Sequence, residues 1–133
     1  MREIKFRAWD SHKNKMFNVG VLGIFDNCSW QHSFSYIHNT QEWYGEEGMV
    51  VSPILMQFTG MVDKNGKEIF ESDILQWTSS NPFSFGEIRK VQVNYVQAQY
   101  WAQGKSLGIY LAELLANEKC EVIGNIYENP NLI

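Results

Sequence analysis

Three side chains that could ligate a metal fall within eleven residues of one another: Cys28, His32 and His38. Another histidine, His12, could approach them in space. Zinc takes about four nitrogen or sulfur ligands in a tetrahedral arrangement, usually including a tight pair such as Cys-x-x-Cys. Here the spacing is loose, and the other cysteine, Cys120, is far away. Ordinary loop residues are the better reading, and no metal or other cofactor is expected. Either cysteine could in principle form a nucleophilic pair with a histidine. Nothing in the sequence places a base, an orienting acid or an oxyanion donor beside them, so a small buried thiol is the expectation. Glu68, Glu71 and Asp73 are spaced closely enough to suggest acid–base chemistry. Between two strands, however, an Asp serves to accept backbone N–H bonds and fix a turn, so a structural role is favoured and no catalytic residue is assigned. Gly60, Gly66 and Gly86 stand alone, outside any phosphate-binding pattern that opens a helix.

Electrostatics offer a second possibility. Arg2, Lys5, Arg7, Lys13 and Lys15 place five of the eleven basic residues in the first fifteen positions. On a strand, Lys5 and Arg7 would share a face with Trp9, and cations beside an aromatic ring suit phosphate contact with base stacking. Long basic side chains also protect an edge strand and cover apolar surface. A net charge of −4 argues against bulk binding of polyanions. Arg89, Lys90 and Lys105 would extend a basic face only if the fold brings them alongside. Among the five tryptophans, Trp43 with Tyr44 and Trp101 with Tyr100 lie in irregular sequence. These four residues are the candidate protein interface, since aromatics are enriched at binding hot spots. Self-association into a symmetric oligomer is the commonest use of such a surface.

These side chains must be positioned by strands. Length (133 residues) and a hydrophobic content of 44% fit one domain with its own core. The N-terminal MREIKFRAWD lacks the apolar centre of a signal peptide, and no apolar run reaches membrane-spanning length, so a soluble, cytoplasmic protein is expected. Ile4, Phe6 and Ala8 alternate with Lys5, Arg7 and Trp9, predicting a half-buried strand. A polar turn follows, then a second strand over residues 16–25, completing a hairpin. Residues 26–49 read as an excursion in which SFSYI has strand alternation. VVSPILMQFTG, the turn Asp63-Lys64-Asn65-Gly66, Ile69-Phe70, a turn at 71–73 and Ile74-Leu75-Trp77 then alternate strand with turn. SSNPFSFG, residues 79–86, is a loop long enough to be mobile. EIRKVQVNYV is a strand with Val91, Val93 and Tyr95 on one side, residues 97–111 hold a further strand, YLAELLAN a short helix, and EVIGNIY a final strand. Short strands, many turns and little helix indicate a mainly β barrel or sandwich.

Three segments, MREIKFRAWD, MQFTGMVDKNGKEIFESDIL and EVIGNIYENPNLI, together resemble the YopX family of small proteins encoded by bacteriophages and prophages. The resemblance implies a mainly β domain over residues 1–133. Residues 1–49 would form N-terminal strands and an excursion, and residues 50–133 a small SH3-like barrel. It carries no catalytic residues to transfer. It suggests an accessory protein that assembles with itself or binds a host or phage protein in the bacterial cytoplasm, with phage DNA handling through a nucleic-acid-binding module as the alternative. One position departs from the family pattern: Ser72 stands where Glu-Gly-Asp-Ile is usual. If that residue must adopt positive φ, serine costs about 1 kcal/mol or more relative to glycine.

Overall fold

The structure, a computed structural model, describes residues 3–19, 21–25, 34–38, 49–50, 53–105 and 108–133. It divides into two compact units. One comprises Lys5–Met56, and the other Gln57–Ile133 together with Met1–Ile4.

In the first unit, β1 (Phe6–Asp10) pairs antiparallel with β2 (Lys15–Asn18), in register from Arg7↔Asn18 to Asp10↔Lys15. The turn is fixed by the Asp10 carboxylate, which accepts the N–H groups of His12 (2.8 Å) and Lys13 (3.2 Å). A small core of Ala8 and Phe17 is flanked by Val19 and Leu55. Residues 16–25, read from sequence as one strand, are divided between two. β3 (Val21–Phe25) pairs with β4 (Phe34–His38), which pairs with β5 (Met49–Val50), giving a separate three-stranded antiparallel sheet. The expected alternation in β1 also fails at both ends. Ile4 is 67% exposed, whereas Ala8, Trp9 and Asp10 are buried in succession. Period-two patterning marks a strand with one wet face, and the end of β1 is covered on both.

β6 (Ile54–Val62) carries the chain into the second unit, where it pairs with β7 (Glu68–Phe70). Between Phe58↔Phe70 and Val62↔Glu68 the register shifts; Gly60, at φ +84°, supplies the positive φ this irregularity needs. A five-stranded antiparallel sheet follows, built from β8 (Asp73–Thr78), β9 (Ile88–Val96), β10 (Gln99–Gln103), β11 (Gly108–Tyr110) and β12 (Glu121–Asn125). Its order is β11-β10-β9-β8-β12, and it curls into a half-barrel. Leu75, Trp77, Val91, Val93 and Ala102 line its inner face. Helix α1 (Leu111–Asn117) closes that face with buried Leu111 and Leu114, and Ile69 of β7 joins the same core. The helix matches the sequence expectation to within a residue. Seven residues are too few for a stable isolated helix, so packing of its leucines holds it. A final 3₁₀ turn spans Pro130–Leu132.

Candidate binding surface

The residues singled out from sequence lie in several places. Arg2, Trp43, Tyr44, Cys28 and His32 fall outside the described residues. Lys5 and Arg7 are half-buried, and Lys13 and Lys15 are exposed at the β1–β2 turn. Trp9 is only 8% exposed, so its ring lies inside the fold rather than open for stacking. Tyr100 and Trp101 are consecutive on β10 and therefore point to opposite faces. Tyr100 stacks obliquely on Tyr95 (ring centroids 5.0 Å) and packs on the core, while Trp101 meets Tyr110 (4.4 Å). They belong to two surfaces, not one patch.

The carboxylates that suggested chemistry are turn and staple residues. Asp73 is buried and accepts the N–H of Phe70, at 2.8 Å. It reaches back three residues to pin the turn. Burial pushes the Glu71 carboxyl up, with a hydrogen bond from the Gln57 backbone pulling the other way. Asp63, which the sequence marked only as part of a turn, does more. Its Oδ1 accepts from Asn65 (2.8 Å) and Lys67 (2.9 Å), and its Oδ2 accepts from Val122 of β12 (2.9 Å). Burial alone would raise this carboxyl; those three N–H groups and the charge on Lys67 outweigh it and hold the carboxyl below its ordinary value. Beside it, the N–H of Lys64 donates to the Cys120 carbonyl (2.9 Å), and Lys64 pairs with Glu121 (3.4 Å). The 63–66 turn is thus fastened to the start of β12. Cys120 itself is buried, and desolvation first, then the nearby Glu118 and Asp63 charges, push its thiol up to about 12. It is a neutral thiol near pH 7, without the thiolate character of a nucleophile. Among the described residues, no group of three His, Cys, Asp or Glu side chains is placed to hold a metal ion.

Sequence reading missed the most exposed large apolar side chains among the described residues. In the β8–β9 loop, Phe83 is 98% and Phe85 80% exposed, and Ile88 just beyond is 68% exposed. The loop that carries them is braced by its own bonds. The Ser79 N–H donates to the Glu87 carbonyl (2.8 Å), and that of Gly86 to the Ser79 carbonyl (3.0 Å). Ser79 and Ser84 hydroxyls meet at 2.8 Å, and the Asn81 side chain accepts the N–H of Phe83 (2.9 Å). The Ser80 N–H is held by the Glu118 carboxylate at the end of α1 (3.1 Å). The polar residues are thus spent on backbone geometry while both rings face outward. The available signal was the pattern Pro-Phe-Ser-Phe-Gly: two large apolar residues in a loop that otherwise has only small and polar ones.

Two grooves lie against this loop. One, of ≈ 450 Å³, is lined by Trp77, Pro82, Ile109 and Leu114 with polar Ser79, Arg89 and Glu118 at its wall. The other, of ≈ 390 Å³, is lined by Lys90 of β9 and Lys105 with apolar Ile88, Leu132 and Ile133, and by Glu87 and Arg89. Both volumes fall within the roughly 300–1,000 Å³ of ordinary ligand sites.

The model of the YopX protein family matches residues 5–133, nearly the whole sequence. The chain belongs to the YopX family. Two solved structures share the fold of this YopX-family chain over essentially their whole length. Protein EF1440 from Enterococcus faecalis is 27% identical with a TM-score of 0.61, covering 99% of each chain. Protein yopX from Bacillus subtilis is 18% identical with a TM-score of 0.63, covering 100% of this chain and 99% of its own. No curated protein matches the sequence. The family segments at 56–75 and 121–133 contain Gly60, the Asp63 staple, the Asp73 turn and Asn125. The Asn125 side chain accepts the N–H groups of Tyr127 (3.1 Å) and Glu128 (2.9 Å). A Cβ at Gly124 would collide with the Asn129 side chain.

Proposed function

We propose that this chain is a non-enzymatic accessory protein of a bacteriophage or prophage. In the cytoplasm of the bacterial host, it would act as a β module that docks on another protein or on a second copy of itself. The observation that supports this reading is the pair Phe83 and Phe85, held out by a loop braced by hydrogen bonds within itself and to Glu118. A loop braced in one conformation loses little entropy on binding, which favours affinity. Exposed rings on such a loop fit the aromatic anchors of protein interfaces. Capture from cells that carry the gene, with tagged wild type and Phe83→Ser/Phe85→Ser side by side, tests it. Wild type should retain a stoichiometric partner, or sediment as a defined oligomer, and the variant should lose it with its melting temperature unchanged. Identical behaviour of the two would reject the loop as the docking surface.

A further inference from the structure

Burying two phenylalanines offsets only part of the freedom that two partners lose on association. The rings alone do not hold a partner, so adjoining surface must contribute. The chain leads from Phe85 directly into the second groove. There Lys90, on the same face of β9 as exposed Ile88, meets Lys105 from the β10–β11 connection, beside Leu132 and Ile133, while Arg89 between them on the strand points to the opposite face. Glu87 also lines this groove and pairs with Arg89 through Nη2 (3.1 Å), which leaves the groove with a surplus of positive charge in a chain of net −4.

Resting on the reading of the loop as a docking surface, we propose that the partner segment is an acidic peptide. Its carboxylates would face Lys90 and Lys105, and its apolar side chains would lie on Ile88 and against Phe83 and Phe85. Charge complementarity selects carboxylates. The apolar floor and the Glu87 carboxylate select a peptide over a nucleic acid, whose unbroken row of phosphates would meet both Glu87 and the acidic remainder of the chain. A single carboxylate between apolar neighbours avoids that repulsion.

Three fluorescent probes test the proposal on the full chain: a random glutamate–tyrosine copolymer, its lysine–tyrosine counterpart and a thymidine oligonucleotide. The acidic copolymer should bind saturably and more weakly as salt rises. The Lys90→Glu/Lys105→Glu variant should lose at least tenfold in affinity, with the milder Lys90→Gln/Lys105→Gln intermediate, and Phe83→Ser/Phe85→Ser should also weaken binding. If both copolymers bind equally and only the phenylalanine variant weakens them, the acidic preference is overturned while the docking loop stands. If the phenylalanine variant binds the acidic copolymer as wild type does, or neither copolymer binds, both readings fall. Displacement of the acidic copolymer by the oligonucleotide overturns the proposal in favour of nucleic acid.

Discussion

At the scale of single residues, Ser72 is the clearest departure from what its surroundings ask for. Its φ of +69° lies in the left-handed region, so the conditional expectation drawn from the family pattern applies. The conformation is held because the Ser72 N–H donates to the Val93 carbonyl (2.8 Å) while its own carbonyl accepts the N–H of Ile126 (3.1 Å). Ser72→Gly should therefore stabilise the protein by about 1 kcal/mol, read by chemical denaturation; an unchanged or lower midpoint would contradict this. Asp63 carries the opposite risk. Because its carboxyl is held below its ordinary value when folded, its contribution is complete above the unfolded-state value near ~3.9 and is lost as pH falls through the folded one. Asp63→Asn should cost roughly 1.5–3 kcal/mol at neutral pH, the range for hydrogen bonds to a charged group. It should also flatten the fall in stability below pH ~4. An acid-unfolding curve parallel to wild type would contradict the staple.

Among the elements, the hairpin between β9 and β10 turns on Gln97 and Ala98, both at positive φ (+50° and +63°). A two-residue turn with that geometry prefers Asn-Gly. Gln97→Asn/Ala98→Gly should raise the melting temperature, corresponding to about 1 kcal/mol or more, and a lowered one would refute the assignment. Sequence alone could not reveal this turn, because neither residue advertises positive φ. The elements with clean signals were legible: the 63–66 turn with Gly66 at +80°, the Val91/Val93 alternation of β9, and the leucine spacing of α1. What was not legible depends on pairing partners distant in sequence. The split of residues 16–25 into β2 and β3 arises because each pairs with a different strand. The burial of Trp9 arises because β1 is covered on both faces at its end. Likewise, SSNPFSFG reads as a loop, but which of its side chains are consumed by the loop and which are left outside is decided by the closing bonds at Ser79, Asn81 and Ser84.

For the molecule as a whole, basic residues near the N-terminus suggested a nucleic-acid face, yet its aromatic member is buried, whereas Lys90 and Lys105 share a groove next to two exposed rings. Among the described residues, no helix is long and apolar enough to cross a membrane. Segments 56–75 and 121–133 are rich in residues occupied with backbone geometry, and among the described residues the β8–β9 loop carries the two most exposed aromatic rings, next to its grooves. The most direct test places a photoreactive phenylalanine analogue at position 83, and separately at exposed Ala112 of α1 as a control. Irradiation in cells that carry the gene should yield a discrete cross-linked product from position 83 and none from position 112. No product at 83, or the same products from both positions, would contradict the account.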